Sequence, residues 1–307
     1  DKIMFNIPPL TQTLKIIGEP KITTTLNGAL FSFTSNGDAK GKIEYKDGKK
    51  WIDAGVCYYT NGRSIPLLVT PPLQDKLYPY RITLGKDVKE GTFKLVGNPR
   101  IFYISTEGVD DISGGTKDKP FKTIQFALDR ALPGDRIRIM PGIYIGGYSL
   151  NHGGTPESPI IIEGLYPNTV ILDGLREVET LFALENAPYV ILRNINFQWY
   201  REHALTIKRS DNVQVISCRF LNQFWRGNSG VTCRSLEIIE SNNYLVEKSI
   251  FNRTRYGLSV YNSSGGRISH NTFLGNGVTN ILWRTGTPED TINITYNSIN
   301  WNSNQLI

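Results

Sequence analysis

The chain has 307 residues, 39% of them hydrophobic and 20% charged, and a formal net charge of +6. That length supports two domains with a core each, and no run of about 18 apolar residues exists that could form a membrane-spanning helix. With 29 Gly, 15 Tyr, 13 Phe and many β-branched residues, short strands joined by frequent turns are favoured over helices.

The sequence opens on Asp1-Lys2-Ile3-Met4, without the charged start and small-residue cleavage site of a signal peptide. Either the protein is cytosolic or its signal has been removed, and the second is the expectation. Cys57, Cys218 and Cys233 are too few for a disulfide framework and fit no zinc spacing. Buried thiols are expected, with a Cys218–Cys233 bridge as the alternative. Charge is uneven: residues 1–98 carry 14 Lys and Arg against 9 Asp and Glu, while residues 193–284 carry 12 against 5. A basic stretch in an otherwise nearly neutral region points either to an anionic ligand or to a solvated face.

Up to residue 98, β-rich runs recur at 20–23, 29–34, 41–45, 64–69, 80–83 and 92–96. Turn signals such as Asn36-Gly37-Asp38, Lys46-Asp47-Gly48 and Asn61-Gly62 separate them. Six or seven strands in this length predict a two-sheet sandwich. Trp51, Tyr58 and Tyr59 are read as packing residues, with an aromatic sugar platform as the alternative. The segment Leu77-Tyr78-Pro79-Tyr80-Arg81-Ile82 resembles the late strand of fibronectin type III-like domains. In secreted enzymes such a domain implies a spacer or docking module.

From residue 181 the sequence stacks on itself. Phe197, Phe220, Phe251, Phe273 and Ile299 are spaced 23, 31, 22 and 26 residues apart, each preceded by an apolar residue five positions earlier. A second column runs through Phe182/Leu184, Leu205/Ile207, Leu236/Ile238, Leu258/Val260 and Ile281/Trp283. Such a period predicts coils of three short strands, each strand bonded to its equivalents above and below. Two residues before each anchor stand Ile195, Cys218, Ser249, Asn271 and Asn297. Asn271 and Asn297 are the candidates for a ladder of hydrogen bonds between coils.

Upstream, Tyr103 to Gly108, Gly114 to Leu128, Leu132 to Ile139, Gly154 to Ile162 and Thr169 to Gly174 closely resemble the entry segment of pectate-lyase-like β-helix proteins. In the second of these, Asp118 is placed to cap a helix with Pro120 near its first turn. Phe121, Ile124, Ala127, Leu128 and Ala131 then share one face. The whole is an all-β chain: a sandwich over 1–98, then a right-handed parallel β-helix over 99–307 with an N-terminal capping helix. The last residues, 300–307, show no cap pattern. A longer β-helix, or another chain stacked on the open C-terminal coil, is the expectation there.

Alternation along the strands through Leu205, Leu236, Leu258 and Ile281 directs a set of polar groups outward. His203, Lys208, Tyr261 and Arg284 are the candidate catalytic residues; Arg234, Glu237, Arg255, Tyr256, Trp225 and Trp199 are the candidate substrate-binding residues. Trp225 lies in the insertion that lengthens one interval to 31 residues. Trp, Tyr and Arg beside His and Lys suit stacking on a sugar and holding a carboxylate or sulfate. β-Elimination from a uronic acid needs a cation on the carboxylate, a base for the C5 proton and an acid for the leaving oxygen. Hydrolysis needs two carboxylates, and the Asp-rich motifs of the polygalacturonase family are absent. No dense acidic cluster for Ca²⁺ is present, and no cofactor or metal is expected. The leading reading is a secreted or cell-surface protein that binds an acidic polysaccharide, not nucleic acid, and cleaves it by elimination. A non-catalytic matrix rod and a glycoside hydrolase are the alternatives.

Overall fold

Strand pairing is antiparallel up to residue 94 and parallel from residue 101 onward. The computed structural model describes residues 13–24, 28–60, 62–69, 71, 76–95, 99–221, 233–284 and 291–300. The chain divides into two compact units, Asp1–Asn98 and Pro99–Ile307.

The first unit is a sandwich of two antiparallel sheets. Strands Ile16–Thr24, Ala29–Ser35 and Leu67–Val69 form one sheet. Arg63–Ile65, Lys50–Thr60, Ala39–Asp47, Leu77–Leu84 and Asp87–Lys94, in that spatial order, form the other. The expected strand at 64–69 is in fact two, one in each sheet, divided at Pro66, which has no N–H to continue a ladder. The strand Lys50–Thr60 was not expected; its alternation is broken by a bulge opposite Ile43 and by Gly55 at φ 117°. Phe31 meets Tyr80 and Phe93 edge-on, with ring centroids 5.0 and 5.2 Å apart, at the centre of the core. Tyr58 is buried. Trp51 is half-buried on the outer face, with the Arg81 guanidinium 4.4 Å from its ring centroid.

The second unit is a right-handed parallel β-helix of three sheets. Eight strands, Ile101–Ile104, Arg136–Ile139, Ile160–Gly164, Val190–Arg193, Gln214–Ile216, Leu245–Glu247, Gly266–Ser269 and Ile292–Thr295, make the first sheet. The second has seven, from Gly142–Ile145 to Ser298–Asn300. The third has six: Tyr148–Leu150, Thr180–Glu185, His203–Lys208, Arg234–Ile239, Tyr256–Tyr261 and Thr279–Arg284.

Both apolar columns are in register. Phe197 pairs with Phe220, Phe220 with Phe251, Phe251 with Phe273, and Phe273 with Ile299. The four Phe rings are fully buried and stack nearly parallel, at centroid separations of 5.0, 4.7 and 4.8 Å. Leu205, Leu236 and Leu258 form the second buried column. At its far end Ile281 is only partly buried and Trp283 is 38% exposed, as are Ile294 and Ile299 at 45% and 44%. Residues 301–307, on which the expectation of an open end also rests, lie outside the described residues.

The turn between the first and second sheets repeats a left-handed residue in the last five coils: Asn194, Ser217, Lys248, His270 and Tyr296, with φ between 53° and 59°. This conformation costs roughly 1–2 kcal/mol per non-glycine residue. What offsets it is visible in the bonding: the N–H of Asn194, Ser217, Lys248 and His270 donates across to the next coil, as Ser217 N does to the Glu247 carbonyl at 2.9 Å. The next residue carries the ladder. Cys218 N donates to Ser249 Oγ, Ser249 N to Asn271 Oδ1, and Asn271 N to Asn297 Oδ1, at 3.1, 2.9 and 2.9 Å. A second ladder, not anticipated, follows the third sheet: Ala187 N to Ser210 Oγ, Ser210 N to Ser241 Oγ, and Ser241 N to Ser263 Oγ, each 2.9 Å.

Two expectations need correction. The helix runs only from Ile124 to Leu128, and its N-cap is Thr123, whose hydroxyl accepts from Phe126 N. Asp118 is exposed and caps nothing, because the backbone of Phe121 is bonded to Tyr103 and Ser105 and extends the first sheet instead. The apolar face is buried all the same, from Phe121 to Ala131. All three cysteines are free and buried, so no Cys218–Cys233 bridge forms. Cys218 lies in the ladder column, where the coil geometry directs it inward.

On the outer face of the first sheet, Glu163 is 6% exposed and ion-paired to three arginines: Arg136 Nε at 2.8 Å, Arg138 Nε at 3.0 Å and Arg193 Nη2 at 2.5 Å. Burial pushes its carboxyl up, and the arginine charges hold it below the ordinary range. Replacing Glu163 with Ala leaves buried guanidinium groups without their counter-ion and should cost about 3–5 kcal/mol in urea unfolding. Phe251→Ala, which opens a void in the middle of the ring stack, should cost a similar 3–5 kcal/mol. Loss of less than about 1 kcal/mol would mean that the stack collapses around the gap.

Candidate functional site

The third sheet turns Leu205, Ile207, Leu236, Ile238, Leu258 and Val260 into the core, so the residues between them face outward. Register then sorts the outward groups into rows across the coils. One row is Thr180, His203, Arg234, Tyr256 and Thr279. The next is Ala183, Thr206, Glu237, Ser259 and Leu282, and the last is Glu185, Lys208, Ile239, Tyr261 and Arg284. Neighbouring rungs stand about 4.8 Å apart, so groups distant in sequence become adjacent.

At the centre lies Glu237, 8% exposed. His203 Nε2 approaches its Oε2 to 3.0 Å, and Arg234 Nε approaches its Oε1 to 3.2 Å. Burial alone would push the Glu237 carboxyl up. The contact with His203 and the charges of His203 and Arg234 outweigh it and hold the group below its ordinary value, so Glu237 stays ionised. The Arg234 guanidinium is also within cation–π reach of two rings, 5.5 Å from Tyr256 and 5.8 Å from Tyr261. One carboxylate, one imidazole, one guanidinium and two phenols thus share a patch drawn from three successive coils.

The other candidates are placed less centrally. Lys208 and Arg284 occupy the far ends of their strands, five residues or about 16 Å along from the His203 row. Lys208 is 3.8 Å from Glu185, which also pairs with Arg209, so this lysine belongs to a salt-bridge network at that edge. Arg284 is exposed. Arg255 is half-buried just before the Tyr256 strand, and its charge acts on Cys233, whose thiol burial nonetheless pushes up. Trp199 is half-buried in the turn before the His203 strand at φ 54°. The Arg176 guanidinium lies 4.3 Å from its ring centroid, a partner sequence reading did not supply. The signal was there in the period, since Arg176 occupies the same turn one coil earlier. Trp225 lies outside the described residues. Among the described residues no group of three or more His, Cys, Asp or Glu is arranged to hold a metal ion, and no helix is long and apolar enough to cross a membrane.

No protein-family model matches the chain. A 78-residue stretch is 32% identical to the uncharacterized protein YwoF of Bacillus subtilis, covering 25% of this chain and 16% of that protein. A 74-residue stretch is 34% identical to pectate lyase PEL9 of Emericella nidulans, covering 24% and 18%. The matched stretches therefore span less than a fifth of either relative. Among solved structures, the family 28 exopolygalacturonase of Yersinia enterocolitica superposes with a TM-score of 0.54 at 13% identity, over 92% of this chain and 73% of that one. That likeness shows the shared architecture.

The lowered Glu237 carboxyl has a definite pH consequence. A group depressed in the folded state contributes stability that is complete above its unfolded value, near 4.5, and is lost as pH falls through the lower folded value. In thermal melts the gap between wild type and Glu237→Gln should therefore be widest at neutral pH and close as pH falls below 4.5. A gap independent of pH would show that the charge of Glu237 contributes nothing.

Proposed function

We propose that the β-helix is a secreted carbohydrate-active enzyme that binds an acidic polysaccharide across the outer face of its third sheet and cleaves it by β-elimination. The observation that carries this reading is Glu237 held between His203 and Arg234, at 3.0 and 3.2 Å. A glycoside hydrolase needs a carboxylic acid that keeps its proton at working pH, which requires a raised pKa. Glu237 is shifted the opposite way. Elimination makes no such demand, and the patch offers each group it needs.

In this reading Arg234 neutralises the uronate carboxylate and stabilises the negative charge that spreads onto it as the C5–H bond breaks. His203, whose Nε2 stands 3.0 Å from Glu237, presents Nδ1 as the base that takes the C5 proton. The electron pair of the broken C–H bond forms the C4–C5 double bond, and the C4–O bond breaks. The leaving oxygen takes its proton from the Tyr261 hydroxyl. Glu237 does not touch the substrate; it positions His203 and Arg234. Tyr256, Arg255 and Trp199, with Lys208 and Arg284 further along the face, would line the path of the polymer. The similarity of one stretch to a protein named as a pectate lyase supports the substrate class, and the shared architecture with an exopolygalacturonase supports action on polysaccharide.

The test is to incubate the chain with polygalacturonate, alginate and glycosaminoglycans and follow the ultraviolet absorbance of unsaturated uronic ends. Absorbance should rise with at least one polymer and fall by about 10²–10⁴-fold in His203→Ala. New reducing ends without absorbance would make the protein a hydrolase. Binding with no cleavage of any polymer would leave the non-catalytic rod.

A further inference from the structure

Ser259 stands in the row of outward-facing groups, in register with Glu237 on one side and Leu282 on the other. Its flanking residues Leu258 and Val260 belong to the core, so its own hydroxyl is directed away from it. Yet Ser259 is 0% exposed, and its Oγ has no hydrogen-bond partner. A buried hydroxyl without a partner costs stability, and most such groups in folded proteins are satisfied. The serines of the ladder behind the third sheet show the usual solution, since Ser210, Ser241 and Ser263 each donate to the carbonyl two residues back. Ser259 departs from it at the one place where the outer face carries the candidate chemistry.

Charged and aromatic groups surround its strand. Tyr256 and Tyr261 come from the two ends of its own strand, and both rings lie within 6 Å of the Arg234 guanidinium. Arg234 in turn is paired to Glu237, the rung neighbour of Ser259. The guanidinium and the two rings thus converge beside the strand that carries Ser259.

We infer that Ser259 is a further substrate-binding residue, whose hydroxyl takes a hydrogen bond from or to a sugar oxygen once Arg234 turns to the ligand carboxylate. This rests on the acidic-glycan reading above. A uronate carboxylate offers the guanidinium a second charge partner beside Glu237, in place of the tyrosine faces. When the guanidinium follows the ligand, the two rings that converge on it separate, and the hydroxyl gains the partner it lacks. The cover and the ligand thus compete for one arginine. Selectivity follows: a neutral sugar, with no carboxylate to draw Arg234 away, leaves Ser259 covered.

The signature is a substitution that improves the free protein and impairs the complex. Ser259→Ala removes the unsatisfied hydroxyl, so the intact chain should melt about 2–4 °C higher without ligand. In affinity electrophoresis through gels carrying polygalacturonate, alginate or neutral galactan, wild type should be retarded by an acidic polymer and not by galactan. Ser259→Ala should bind that acidic polymer roughly three- to tenfold more weakly. Equal affinity of variant and wild type, or a lower melting temperature of the variant, would overturn the role of Ser259 and leave the acidic-glycan reading standing. A wild type that no acidic polymer retards, or that galactan retards as strongly, would remove that reading and the role of Ser259 with it.

Discussion

Everything in the second unit depends on coil stacking upon coil in register. A parallel β-helix has no hairpins to fix its pairing, so register must be enforced at every turn. In the later coils it is enforced in three ways: by the left-handed residue whose N–H reaches the next coil, by the side-chain ladder through Ser249, Asn271 and Asn297, and by the stacked Phe rings. A slip of one residue would turn the Phe column outward and bring charged groups such as Glu237 into the core. The same precision that protects the core sets the spacing of His203, Arg234 and Tyr256 on the outside. The geometry of the candidate site is thus inherited from the packing behind it.

Two buried carboxylates show how differently one scaffold uses the same chemistry. Glu163 and Glu237 both face outward, both are nearly excluded from solvent, and both are held ionised by neighbouring cations. Glu163 is surrounded by three arginines and satisfies a local excess of positive charge. Glu237 has one arginine and a histidine. The first arrangement has no group left to do chemistry, whereas the second keeps an imidazole nitrogen and two phenols beside the guanidinium.

Much of the fold was legible because apolar periodicity is a property of single residue types at fixed spacing. Phe197, Phe220, Phe251 and Phe273 declared both the coil and the register, and the paired strands agree with them. The serine ladder was equally visible in principle, two residues after each of Lys208, Ile239 and Tyr261, but small polar residues are common in turns and carry little signal. The short helix was misplaced because Asp118 and Pro120 form a good capping pattern, and only the backbone bonds of Phe121 to the neighbouring strand show why it is not used. At the site, the outward rows could be read from alternation. What could not be read was how far a long side chain travels along its row: Arg234 reaches both tyrosines, while Lys208 turns to Glu185. Those choices are settled by local charge and ring placement, which no spacing encodes.

The interval of 31 residues between Phe220 and Phe251 closes on the same register as the 22 between Phe251 and Phe273. By closure entropy alone, the longer excursion costs only about 0.3 kcal/mol more than the shorter one. Length added to a turn is therefore nearly invisible to the stack, because the rung above begins where it would have begun in any case. A lineage carrying this scaffold is free to lengthen one turn, change the surface beside the third sheet, and inherit its stability nearly intact.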